Sequence, residues 1–485
     1  MSQETSWFGI DFGTTNSAVV SITGEGDNIQ HICFGDEEGR PFPSVIAIGR
    51  EDGSILSGRE AKERHNALLK THEYISSIKS ILDSGKEWNI AGIKWTAVDV
   101  AAEIFMALKR RVEREGNQIL ENAFVAVPVG FSAENRKCLR EAAQKAGVTV
   151  SSFVSEPTAA LCSNIEKLKG CRNVAVFDWG GGTLDVVIAR IEGDTIEEIA
   201  SRRLDLAGNH IDIKFAERIH SRFMRDKENA VSFDKLDAIT RDQLISRCET
   251  AKCHFCDDDT VRISLNRYAD YGPVGTPFDY DHFELLVENV VNQAIECLQL
   301  AIQSAGLNSE TLDRILCVGG SSRLRPLRER LEKLYGEDML LFPEKVMWDI
   351  AKGAAQLAYS PGNYTLSRPL GTLLADNSFF PLIKAGTTVP AQEEHLRLRI
   401  VDGNAPEACL VMTDGGTACE QTFLEPFRFK LRGFHDEVVE LSYYIDKDSV
   451  FWLTAGSNRT PASAYKVWSY EKPALLYHLD RSKIS

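Results

Sequence analysis

Positive charge is scarce: 55 lysines and arginines face 70 aspartates and glutamates, a formal net charge of −15 over 485 residues. That balance argues against a nucleic-acid backbone or an anionic membrane as the main partner, since both would repel it. Long apolar runs are missing, so no stretch reads as the roughly 20 apolar residues of a membrane span. Met1 to Trp7, MSQETSW, lacks the basic start and apolar core of an export signal. The eleven cysteines have no regular spacing. Without an export signal they read as reduced thiols in the cytoplasm. No Walker-type phosphate loop occurs either. What remains is an ordinary globular composition, 43% apolar and 26% charged, long enough for two or three domains.

What is present is one device used twice. Val174 to Ile188, VAVFDWGGGTLDVVI, reads as a strand, a tight glycine turn and a second strand. Gly180, Gly181 and Gly182 let another group approach the backbone closely. Asp178 precedes the turn and Asp185 follows it. Bare N–H groups with carboxylates at the mouth suit a nucleotide phosphate and a hydrated cation such as Mg²⁺. Phe8 to Val20, FGIDFGTTNSAVV, repeats the pattern, with Asp11-Phe12-Gly13-Thr14-Thr15 paralleling Asp178-Trp179-Gly180-Gly181-Gly182. One glycine turn alone reads equally well as a plain hairpin. Two in separate halves suggest related lobes clamping one phosphate chain.

Between the loops, Gln30 to Cys33 and Val45 to Ile48 read as strands, and Arg59 to Leu82 as helical. Lys79 there is either a surface lysine with a buried stem or a cation aimed at the phosphates. Val98 to Glu115 is an amphipathic helix, Phe124 to Pro128 a buried strand, and Ser132 to Ala146 a helix with Ser132 as N-cap. Pro157 suits the first turn of a helix, where Glu156 is either a first-turn acid or a ligand to a hydrated metal. Later helices are Gln243 to His254, Phe283 to Ala305, Leu327 to Leu334 and Ile350 to Ala358. Leu312 to Val318 with Gly319-Gly320-Ser321-Ser322-Arg323 forms a third strand–glycine–helix unit. From Tyr364 onward only short β-rich runs remain, which reads as an all-β domain of roughly a hundred residues.

The two loops, Ser155-Glu156-Pro157-Thr158-Ala159-Ala160 and Cys317-Val318-Gly319-Gly320-Ser321-Ser322-Arg323, in that order, resemble the heat-shock-70 (DnaK-type) chaperones. The resemblance runs from about Phe8 to Ala358. It implies an α/β fold: an actin-like ATPase of two ribonuclease-H-like lobes over 1–360, then a small all-β substrate-binding domain over 361–485. It also implies slow ATP hydrolysis coupled to binding of unfolded or extended polypeptides, in the setting of protein folding and stress response. A J-domain co-chaperone and a nucleotide-exchange factor would be further partners, with no nucleic acid and no membrane. The implied cofactors are ATP or ADP with Mg²⁺, and K⁺ as the candidate second cation.

By residue, the resemblance implies that Gly13, Thr14, Thr15 and Asn16 hold phosphates from one side, and Gly180, Gly181, Gly182 and Thr183 from the other. Asp11 and Asp178 would hold Mg²⁺ through water. Lys79, Glu156, Thr183 and Asp185 would be the catalytic set, positioning the γ-phosphate and the attacking water. Gly208, Glu249, Lys252, Gly319, Gly320, Ser322 and Arg323 would hold the nucleoside. Pro128 and Arg136 match residues that relay nucleotide state to the peptide-binding domain.

Departures from the family pattern are specific. Cys253 and Cys256 stand where an Arg and a Ser are usual beside the base. With Cys248 they make a C-x4-C-x2-C spacing, half of an iron–sulfur signature. With no fourth ligand evident, a cysteine-rich nucleotide helix is the plainer reading. Phe342 to Asp349 lacks the usual proline–acid–valine pattern, and Tyr359 to Arg368 lacks the acidic, leucine-rich linker. Leu370 to Thr372, Phe380 to Pro390 and Tyr444 to Ala455 resemble strands of the peptide-binding domain. Ser457 to Ser485, with Pro461 and Pro473, is too short for a helical lid, so faster peptide release is expected. Two other functions stay open: a nucleotide-gated interaction protein without clients, and a small-molecule kinase of the same superfamily.

Overall fold

A computed structural model describes residues 6–24, 29–36, 39–227, 229–402, 404–416 and 422–480. The first five residues of the N-terminal stretch and the last five of the C-terminal tail lie outside them. The chain forms two compact units. One comprises 1–130, 137–190 and 199–359; the other comprises 131–136, 191–198 and 360–485.

The first unit contains two sheets with the same plan. In one, the strand order is Thr149–Ser155, Asn122–Val127, Trp7–Asp11, Asn16–Thr23, Gln30–Phe34. Trp7–Asp11 pairs antiparallel with Asn16–Thr23 and parallel with Asn122–Val127. In the other, the order is Leu340–Leu341, Arg314–Val318, Asn173–Trp179, Leu184–Glu192, Thr195–Leu204, the last two through the parts that belong to this unit. Asn173–Trp179 again pairs antiparallel with the next strand and parallel with Arg314–Val318. In both sheets the central strand runs into a glycine loop and returns beside itself. The loops therefore sit at the carboxyl ends of central strands, where α/β sheets place their ligands.

Burial explains the strands. Val174, Ala175, Val176 and Phe177 are fully buried, as a sheet covered on both faces demands. Helix Ala97–Gly116 starts at a capping box, with Thr96 accepting from the Asp99 N–H and Asp99 accepting from the Thr96 N–H. Tyr280–Ser304 is the one helix among the described residues long and apolar enough in composition to cross a membrane. Its apolar face, from Phe283 to Ile302, belongs to the core of this unit.

Helix Asp349–Tyr359 packs on strand Trp7–Asp11 and on helix Glu156–Ser163 at backbone distance. A Cβ on Gly9 would overlap the backbone of Ala351 and Ala355, and one on Gly353 would overlap the Ala159 carbonyl.

The helical reading of Arg59 to Leu82 is corrected. Helices Gly58–Glu63 and His65–Leu68 end early, and His72–Ile75 is a strand antiparallel to Ile46–Gly49. Lys79 lies on the 3₁₀ turn Ile78–Ile81. Long-range pairing overrode local helix preference here.

The second unit is a β structure. One sheet has the order Phe379–Ile383, Leu370–Leu373, Glu407–Asp414, with Phe427–Lys430 also on the last strand; another runs Ala391–Arg399, Val438–Ile445, Phe451–Ser457, Lys466–Tyr470. Leu370, Leu410, Met412 and Phe427 from the first share one core with Leu441, Tyr443, Phe451 and Leu453 from the second. Val438–Ile445 alternates strictly between buried and half-buried positions, as period-2 side chains require. A strand the sequence reading missed, Leu475–His478, pairs with Thr195–Glu197 and with Asn363–Leu366.

Gly353→Ala is expected to destabilise the protein by about 1–3 kcal/mol, because overpacking against backbone has no soft neighbour to yield. Gly130→Ala, where a Cβ meets nothing within 4 Å, should leave the melting temperature unchanged. Differential scanning fluorimetry of both variants checks the pair.

Candidate functional site

Each glycine loop is preceded by an aromatic anchor. Phe12 is fully buried and stacks on Phe105 at 4.9 Å between ring centroids. Trp179 is fully buried and its indole N–H donates to the Leu206 carbonyl at 3.1 Å. The aromatic goes into the core, so the glycines after it turn outward. This gives a physical reason for the repeated Asp–aromatic–Gly order. The two loops of the first unit also meet. A Cβ on Gly181 would overlap the Thr15 hydroxyl, and one on Gly182 would press on Thr14. A Cβ on Gly13 would overlap the Asn16 carbonyl.

The carboxylates converge with one ammonium. Lys79 Nζ donates to Glu156 Oε1 at 2.7 Å, with both side chains 8% exposed. Glu156 opens helix Glu156–Ser163, whose N-cap Ser155 accepts from the Thr158 N–H. Asp178 stands opposite Asp185 in the hairpin register. Thr183 Oγ1 donates to Asp185 at 2.9 Å, and Arg203 lies 3.9 Å away from it.

Crowding shows in the proton affinities. Burial first, then Glu156, pushes Asp11 up to about 7, against the pull of Lys79. Asp178 rises well above the carboxylate range through burial and through Glu156, Asp185 and Asp11. Asp185 is raised by burial and Glu156, with Arg203 and Thr183 opposing. Burial lowers the Lys79 pKa, but Glu156, Asp11 and Asp178 outweigh it and hold the ammonium charged.

Beyond the loops, Gly208 N–H donates to the Gly180 carbonyl at 3.2 Å and Asn209 N–H to that of Gly181 at 2.8 Å. Ser321 Oγ donates to the Gly180 carbonyl at 2.7 Å. A Cβ on Gly319, which has a φ of +79°, would overlap the Trp179 carbonyl and Asp178. Ser322 is buried and bonds back to the Gly319 carbonyl at 2.7 Å, while Gly320 and Arg323 are exposed. Lys252 Nζ is held by the Gly208 carbonyl at 3.1 Å and Asp212 at 2.8 Å. Lys62 donates to Glu249 at 2.9 Å. Asn16 begins strand Asn16–Thr23. The sequence reading missed Lys62, Asn209, Asp212 and Ser321. Asp212 lies four residues after Gly208, and only its burial and its Lys252 partner mark it.

Cys256 Sγ contacts the Arg323 carbonyl at 3.4 Å, Cys248 is buried and Cys253 is exposed. Among the described residues, no three His, Cys, Asp or Glu side chains stand close enough to hold a metal ion directly.

These residues fit a phosphate chain with a hydrated divalent ion. The fit rests on two glycine loops that approach each other too closely for a Cβ at Gly181 and on a buried Thr15 hydroxyl with no partner among the described residues. It rests also on carboxylates whose mutual repulsion a 2+ ion would relieve. Two lobes of one plan with paired glycine loops define an actin-like ATPase fold. The Hsp70 protein family model matches residues 83–395, so the chain belongs to the Hsp70 family, whose members are chaperone-type ATPases that use ATP or ADP with Mg²⁺. It is 28% identical to Chaperone protein DnaK 3 of Synechococcus sp. over 504 aligned positions, covering 93% of this chain and 74% of the relative. Chaperone protein dnaK1 of Synechococcus elongatus matches to the same extent.

The raised Asp11 pKa has a consequence for stability. Between the unfolded value near 3.8 and the folded value of about 7, the native state holds the extra proton. Stability without nucleotide therefore falls as pH rises through that window and levels off above the folded value, where neither state holds the proton. Asp11→Asn should flatten this fall and raise the melting temperature near pH 8, as measured by thermal unfolding across pH 4 to 8.

Proposed function

We propose that the chain is an ATP-hydrolysing, chaperone-like protein in which nucleotide state governs binding of extended polypeptides. The convergence of both glycine loops on the Lys79–Glu156 pair supports this best. Phosphoryl transfer to water needs positioning and charge neutralisation more than covalent help. Gly13 to Asn16 would offer backbone N–H groups to the phosphates from one loop, and Gly180 to Thr183 from the other. Lys79 would fix the γ-phosphate side, and Asp185 and Glu156 would orient the attacking water. Asp11 and Asp178 would hold Mg²⁺ through its water shell, and the ion would neutralise charge on the phosphates.

The nucleoside would rest against Gly208, Glu249, Lys252, Gly319, Gly320, Ser322 and Arg323. Lys252 acts there through its fixed contact with the Gly208 carbonyl. Assigning nucleotide handling to 1–360 and peptide capture to 361–485 belongs to this proposal. So do K⁺, a J-domain partner, an exchange factor and a cytoplasmic setting. In the second unit, Arg136 is half-buried, which lowers its pKa, while Asp448, Glu471 and Asp446 oppose that fall. That cluster is where a relay through Arg136 would act.

Lys79→Ala and Asp178→Asn should each lower single-turnover ATP hydrolysis by about a hundredfold or more, while nucleotide binding persists. Wild-type rates in both would overturn the site. A labelled extended peptide should bind with different affinity in ATP and in ADP; equal affinity in both would remove the coupling. Label from the γ-phosphate found on a sugar or other metabolite, rather than as free phosphate, would make the protein a kinase.

A further inference from the structure

Helix Ala238–His254 has a second working face. At 3.6 residues per turn, Glu249, Lys252 and Cys253 fall on one side, that of the Lys252 contact with the Gly208 carbonyl. Arg247, Thr250 and His254 fall on the far side. There they line an open cleft of about 400 Å³ together with Ala251 and with Val261, Arg262, Ile263, Ser264 and Asn266 of strand Thr260–Leu265 and its end. That volume lies within the range of ligand sites, roughly 300–1,000 Å³.

Consecutive strand residues point to opposite faces. Val261 and Ile263 point one way, Arg262 and Ser264 the other, yet all four line the cleft. The cleft therefore runs along the edge of the strand, not over one face. Among the described residues this strand has a single ladder partner, Val274–Asp279. Register tells which backbone groups are free. Tyr280 N–H donates to the Asp259 carbonyl at 2.9 Å, which makes Asp259–Tyr280 a hydrogen-bonded pair. By alternation, Arg262–Pro277 and Ser264–Gly275 are non-hydrogen-bonded pairs. Pro277 agrees: it has no N–H to give, and its carbonyl accepts from Arg222 at 3.2 Å. The N–H and C=O groups of Arg262 and Ser264 thus point to the outer edge.

Charge selects the occupant. Among the described residues neither Arg247 nor Arg262 makes an ion pair, and both are exposed. Arg247 has no acid three or four residues away on its helix. Among the described residues no carboxylate lines the cleft, and Thr250, Ser264 and Asn266 add neutral hydrogen-bonding groups. His254 is 3.3 Å from Asp258. The chain's net charge of −15 repels a densely charged polyanion such as nucleic acid more strongly than a short acidic segment, whose few carboxylates the two arginines can meet locally.

We propose that this cleft docks an extended acidic segment of a partner polypeptide, which adds a strand to the free edge at Arg262 and Ser264 and places carboxylates on Arg247 and Arg262. This is β-augmentation with a charge code, independent of peptide capture by the second unit.

The probe is a fluorescein-labelled hexapeptide, Glu-Val-Asp-Val-Glu-Val, titrated by anisotropy into the full chain. At about 50 mM salt, where screening is modest, it should bind, and its lysine counterpart should not. Charge reversal in Arg247→Glu/Arg262→Glu should weaken binding by about tenfold or more. Amide hydrogen exchange at Arg262 and Ser264 should slow when the peptide is bound. An unchanged affinity in the double variant, unchanged exchange at these two amides, or displacement by a uridine decanucleotide at lower concentration than by unlabelled peptide would each overturn the proposal. Both arginines are exposed, so the variant should keep the wild-type melting temperature and circular dichroism spectrum.

Discussion

One ammonium among four carboxylates is the constraint around which the first unit is arranged. Lys79 is 2.7 Å from Glu156, and Asp11, Asp178 and Asp185 all feel its field. Placing such charges out of water is costly, and an arrangement of this kind persists only when the surrounding backbone over-determines it. Here it does. One central strand ends at Asp11 and the other at Trp179, one residue past Asp178; a helix begins at Glu156, and a single 3₁₀ turn delivers Lys79.

Close backbone approach is the second organising fact, and glycine is its instrument. Gly353 lets one helix lie on another, Gly9 lets that helix lie on a central strand, and Gly319 lets a third loop reach Trp179. Gly181 and Gly182 do the same where the two glycine loops meet. The aromatic before each of those loops does the opposite work, tying the strand end into the core. Asp, aromatic and glycine in sequence thus encode a charge, an anchor and an open surface.

The helix Ala238–His254 shows how one element serves two surfaces. Its inner face is tied to the loop region through Lys252 and Gly208. Its outer face borders a strand edge whose free groups are identified by register alone. Neither role follows from its amphipathic pattern.

Much was readable from residue order. The duplicated loops, the Pro157 helix start and the third glycine turn led to the family, and the texture change near Tyr364 marked an all-β region that the strands from Leu370 onward form. These are local signals: turn chemistry, capping and period-2 burial act within a few residues. What local signals misjudged was decided by pairing at long range. His72–Ile75 became a strand because Ile46–Gly49 offered it a ladder, and Leu475–His478 found its partners over a hundred residues away. Residue order alone identified which side chains carry charge. Only the folded chain decided that Lys79 faces Glu156 and not water, that Asp212 neutralises Lys252, and that Arg247 and Arg262 share an edge, because burial and distance are properties of the packed chain.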